Sequence, residues 1–131
     1  MDIRGSDMPY EVVYLEELGI VLIKNIGELT YENFSKQSRE AIELGRMKKA
    51  ELFLSDCTKL IASASTIELY DFPEMYERLG MTRSSKIAVL ISTDTAGDRD
   101  LLFYETVCRN RGWQIKVFTI KQSAMEWLLR K

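Results

Sequence analysis

Histidine is missing from this chain of 131 residues. Its absence removes Ser-His and Cys-His nucleophile pairs, the usual zinc sites and the commonest general base together. Cysteine is scarce: Cys57 and Cys108 stand alone, without CxxC spacing, and read as small buried apolar residues of a reducing cytosol, not as a disulfide. No apolar run approaches the length that spans a bilayer. Neither sign of charge dominates, with 20 acidic and 18 basic residues giving a net charge of −2. Such a balance makes no field that gathers phosphate backbones or anionic lipid, so nucleic acid is not an expected partner. Glycine-rich phosphate cradles are missing too: TDTAGD, residues 93–98, holds a single glycine and no Gly-Lys-Ser. No cofactor or metal is expected.

What remains is an ordinary soluble composition, 46% hydrophobic and 29% charged, of a length that suits one cytoplasmic domain. The opening MDIRGSD lacks the pattern of a signal peptide, and residues 1–9 read as a flexible N-terminal arm or vector-derived residues ahead of a domain over 10–131. YEVVYL and GIVLIKNI, joined by EEL, predict a β-hairpin with Gly19 in the turn. Thr30 caps a helix carrying Phe34, Ala41, Ile42 and Leu44 on one face and fraying near Gly45. ELFLSDC and KIAVLIS, residues 51–57 and 86–92, are apolar strands of the kind buried in parallel sheets. Between them a helical pattern runs from about Ser65 to Leu79, and Pro73 predicts its split into two short helices. LLFYETVCRNRG predicts a helix closed by Gly112, WQIKVFT a strand, and IKQSAMEWLLRK a docked terminal helix with Ala124, Trp127 and Leu128 on one stripe and basic residues in its last turn. The order β-β-α-β-α-β-α-β-α predicts an α/β domain with a mixed, mostly parallel five-stranded sheet, its first strand antiparallel and its helices packed on the sheet.

The stretch FYETVCRNRGWQIKVFTIKQSAMEWL carries a helix, an Asn-Arg-Gly, a strand and an Ala-x-x-Trp-Leu ending. With Phe103, Glu105, Asn110, Arg111, Gly112, Val117, Phe118, Ala124, Trp127 and Leu128, it resembles the SpoIIAA-like family of small bacterial proteins in the STAS superfamily. That fold is also likened to the lipid-binding CRAL-TRIO domain. The resemblance implies a non-enzymatic regulatory module. In the superfamily's anti-sigma-factor antagonists, a serine at the start of the helix after the third strand is phosphorylated by a partner kinase, which controls docking. The residues nearest that place are Ser63, Ser65 and Thr66, in a string, ASASTI, that lacks the aspartate and glycine of the family's Asp-Ser-Ser-Gly-like motif.

Physical chemistry gives those hydroxyls two readings. Ordinary helix capping is one; an anion or phosphate held by the unsatisfied amides of a helix start is the other. In open α/β sheets ligands gather beyond the carboxyl ends of the strands, which nominates Asp56, Cys57 and Thr58 after one strand and Thr93, Asp94 and Thr95 after the next. Asp56 and Asp94 are the one carboxylate pair that acid–base chemistry has on offer, although aspartate is common in turns. Leu60, Tyr70, Phe72 and Met75 either close the core or form an apolar cover that lines a pocket or an interface. The leading expectation is protein–protein interaction or self-association as a dimer through the segment after the third strand. The alternative is a carrier or sensor of a small, lipid-like apolar ligand in a CRAL-TRIO-like pocket.

Overall fold

The computed structural model describes residues 10–26, 30–59, 66–93 and 99–130, with backbone alone at 31, 66–70 and 99–101. The arm at 1–9 lies outside these residues. Strand β1 (Tyr10–Leu15) pairs antiparallel with β2 (Ile20–Asn25), and β3 (Leu52–Asp56), β4 (Lys86–Leu90) and β5 (Gln114–Phe118) follow in parallel, each beside the strand before it. Helices α1 (Tyr31–Lys48), α2 (Thr66–Arg78) and α3 (Arg99–Asn110) make the crossovers, and α4 (Lys121–Leu129) ends the chain. The hairpin turns as its sequence predicts: Gly19 takes φ +68, and the amides of Leu18 and Gly19 donate to the Leu15 carbonyl.

Right-handed crossovers between neighbouring parallel strands put their helices on one side of a sheet. Alternation along the strands then divides the interior in two. Val21, Ile23, Phe53, Ile87, Val89 and Ile115 point toward α1, α2 and α3, where Ala41, Ile42, Phe72, Met75, Tyr76, Tyr104 and Cys108 complete the larger core. Ile20, Leu54, Ala88 and Leu90 point the other way and meet Ala124 and Leu128 of α4.

Three sequence expectations are corrected. Helix α1 does not fray at Gly45; it runs to Lys48 and ends with Lys49 in the left-handed region at φ 56. Gly45 is there for close packing, since a Cβ on it would lie 2.9 Å from the Phe53 ring and 3.0 Å from the Ala50 carbonyl oxygen. Helix α2 is not split; it passes through Pro73. A proline inside a helix costs about 3 kcal/mol, but Phe72, Met75 and Tyr76 on either side are 0%, 2% and 4% exposed, and each such burial contributes about 1.5–3 kcal/mol. The buried Trp113 Nε1 also donates to the Pro73 carbonyl at 3.2 Å, fixing the helix at this point. The last turn of α4 carries no basic residue; Lys86 of β4 takes that role, its Nζ donating to the carbonyls of Trp127 and Arg130 at 3.0 and 2.9 Å.

Other expectations stand. Thr30 caps α1, its hydroxyl accepting from the Asn33 amide at 3.0 Å. Gly112, at φ +88, closes α3, with its amide donating to Arg109 and that of Trp113 to Cys108. Glu105 shows why a carboxylate belongs in the C-terminal signature: its Oε2 accepts the Val117 amide at 2.6 Å, occupying a donor on the outer edge of β5.

Candidate partner-binding site

The carboxyl ends of β2, β3 and β4 leave the sheet at the same pole. Register aligns Lys24 with Asp56 and Asp56 with Leu90, so Thr58 and Thr93 leave neighbouring strands there. Asn25 ties this pole together. It is 5% exposed, and its Nδ2 faces Ser55 Oγ at 3.3 Å, the Asp56 carbonyl at 3.4 Å and Cys57 Sγ at 3.4 Å. Asp56 then folds its own loop back: its Oδ1 accepts from the Thr58 amide at 3.0 Å and the Thr58 hydroxyl at 2.6 Å, a side-chain-closed turn. Thr58, Lys59 and Thr93 are exposed at the rim.

The remaining nominated residues fall into three groups. Leu60, Ser63, Ser65, Asp94 and Thr95 lie outside the described residues, as do the side chains of Thr66 and Tyr70. Helix α2 begins at Thr66, so the hydroxyls at 63, 65 and 66 straddle its start along the chain. Phe72 and Met75 are core residues, and Phe72 stacks on Phe34 with centroids 3.8 Å apart. Over residues 71–78, where its side chains are described, that helix turns Phe72, Met75 and Tyr76 inward and shows Asp71, Glu74, Glu77 and Arg78 to solvent. Cys57 and Cys108 are buried free thiols. Burial pushes Cys57 up to about 11 and Cys108 up to about 12, so both are protonated and poorly nucleophilic at neutral pH.

Sequence reasoning missed a polar group on the buried face of α1. Gln37 and Ser38, 3% and 6% exposed, sit one turn from Phe34, Ala41 and Ile42, facing the sheet. They line a cavity of about 30 Å³ together with Ser55, Tyr76 and Tyr104. The two tyrosine hydroxyls bond to each other, and burial raises both well above the usual phenol value. The signal was present as two polar residues inside an apolar stripe with helical spacing. Among the described residues no cluster of three or more potential metal ligands occurs, and no helix is long and apolar enough to cross a membrane.

No protein-family model matches this chain, and no curated protein does. Solved structures do share its fold. An uncharacterized DUF3478-family protein with a SpoIIAA-like fold, from Shewanella loihica PV-4, aligns with a TM-score of 0.56 at 17% identity, over 91% of this chain and 91% of its own. The anti-sigma factor antagonist SpoIIAA in its unphosphorylated form aligns with a TM-score of 0.52 at 11% identity, over 93% of this chain and 99% of its own. The C-terminal signature thus pointed to the right architecture, and this chain has a SpoIIAA-like fold.

Proposed function

We propose that this protein is a non-enzymatic STAS-like regulatory module that works by docking a protein partner, or a second copy of itself, at the pole where β3 and β4 end. The observation that carries this reading is the construction of that pole. Asn25 anchors two strand ends from inside, Asp56 closes a turn, and Thr58, Lys59 and Thr93 stand exposed where β3 and β4 end. A rigid scaffold holding exposed loops is the usual construction of a recognition site. The chemistry argues in the same direction, since the chain has no histidine and its thiols are buried and protonated.

The finer part of the proposal concerns Ser63, Ser65 and Thr66. A phosphate added at the beginning of α2 would meet the free backbone amides of a helix start and the positive end of the helix dipole, which would hold its charge there. Phosphorylation there would change the docking surface without disturbing the core. The cavity beneath α1 does not favour the apolar-ligand alternative, since it has room for a water or two, not a lipid.

The test is affinity capture from the source organism with wild type and with a Thr58→Arg, Thr93→Arg double variant, alongside a control substitution, Lys49→Glu, at the opposite pole. A partner kept by wild type and the control but lost by the double variant supports the site. Equal capture by all three, with wild type monomeric, would rule it out.

A further inference from the structure

We propose that the cavity beneath α1 is a buried hydration site, in which one or two water molecules join Gln37 and Ser38 to the hydroxyl groups of the opposite wall. The inference begins with two side chains in the wrong place for their chemistry. Gln37 is 3% exposed and Ser38 is 6% exposed, and both lie on the face of α1 that also carries Phe34, Ala41 and Ile42 into the core. An unpaired amide or hydroxyl costs about 1–3 kcal/mol when buried, so such groups find partners. Within the described residues no hydrogen bond takes up the Gln37 amide or the Ser38 hydroxyl, yet every side-chain nitrogen and oxygen sealed away from solvent has a partner. The two observations agree if a water-sized molecule reaches Gln37 and Ser38.

The cavity that both residues line meets the requirements for that molecule. Its volume is about 30 Å³, and a single water needs roughly 10–15 Å³ by the same measure. Ser55, Tyr76 and Tyr104 also line it and are the hydroxyl-bearing side chains on hand for a water, their remaining hydrogen-bonding capacity left beside the contacts they already make, while Ile23 and Ile87 form apolar wall. None of the described lining residues is charged, which disfavours an ion, and the volume shuts out organic ligands. Water is the ligand class that both size and chemistry allow. Bound there, it gives α1 a directional contact with the interior in addition to apolar packing, and so fixes the rotation of the helix against the sheet. The site is separate from the strand-end pole and does not depend on the docking proposal.

A crystal structure at high resolution should show ordered water within hydrogen-bonding distance of the Gln37 amide and the Ser38 hydroxyl. In solution, the wild-type protein should show long-lived water NOEs to the backbone amides of Gln37 and Ser38, and these should be lost in the Gln37→Leu, Ser38→Ala double variant. Under xenon pressure the wild-type cavity should exclude xenon, since a hydrated polar site does not give up its water to a noble gas. If the double variant fails to fold, the wild-type NOE and xenon measurements decide alone. Xenon uptake by wild type, absence of water NOEs, or a Gln37 side chain turned outward to bulk solvent would each overturn the proposal.

Discussion

One face of the sheet lies under three helices and packs aromatic rings, thiols and hydroxyls together. The other lies under the nine residues of α4 and packs mainly aliphatic side chains against Ala124 and Leu128. The difference is one of kind as well as size. On the first face the Phe34 and Phe72 rings stack, Tyr104 meets Phe72 edge-on at 5.9 Å, and Trp113 is held both by the Pro73 carbonyl and by the Arg83 guanidinium 3.6 Å above its ring. Directional contacts of this sort specify one arrangement. The second face depends chiefly on area removed from water, which is non-directional. Its directional contacts on α4 are fewer: one tilted pair, Phe118 and Trp127 with centroids 5.8 Å apart, and Lys86, reaching over the helix end.

That contrast can be broken by mutation. Phe72→Ala should cost about 3–5 kcal/mol in denaturant unfolding, because the ring is fully buried and stacked on Phe34 of α1. A loss below 1 kcal/mol would mean that the stacked pair carries little. Leu128→Ala, on the face with a single helix, should cost about 2–4 kcal/mol. In this variant hydrogen exchange should speed up along α4 while α1 to α3 stay protected; uniform acceleration would show that the two faces unfold as one.

Alkaline titration sharpens the comparison, because the buried thiols and phenols belong to the first face. Unfolded, both thiols ionise near 9.0, whereas burial raises Cys57 to about 11 and Cys108 to about 12 in the fold. Between these limits the folded chain binds more protons than the unfolded one. The stabilisation from the neutral thiols is therefore complete below pH 9 and declines as pH rises toward the folded values. Cys57→Ala should flatten that decline by on the order of 2 kcal/mol in unfolding experiments from neutral to alkaline pH. An unchanged slope would count against the burial of this thiol. The smallest effect belongs to Lys86→Met, which removes the cation from the α4 terminus and should cost about 0.5–1 kcal/mol, fading as salt is raised.

Periodic features were legible in the sequence: the order of elements, the hairpin, the Thr30 and Gly112 caps and the parallel core strands all follow from local patterns. Features that depend on a distant neighbour were not. Gly45 looks like a helix end until Phe53 is found against it, and Pro73 looks like a break until Phe72, Tyr76 and Trp113 are seen to hold both sides. Lys86 caps a helix more than forty residues further along, which no local window contains. At the candidate site Asp56 and Thr58 were found from the rule for strand ends, but Asn25, which braces them, sits thirty residues upstream and gave no sign of its role.

Each strand pairs with its immediate predecessor, and this has a bearing on how the chain is made. Leaving the ribosome, the nascent polypeptide can add one βα unit at a time to a sheet already begun, and the three-helix side is finished once β5 has emerged. Among the described residues, Ile20, Leu54 and Leu90 gain their helical cover only from α4, which emerges after β5. Translation that stalls before residue 121 would release a nearly complete sheet with one sticky side, the form of this protein that chaperones and proteases should recognise first.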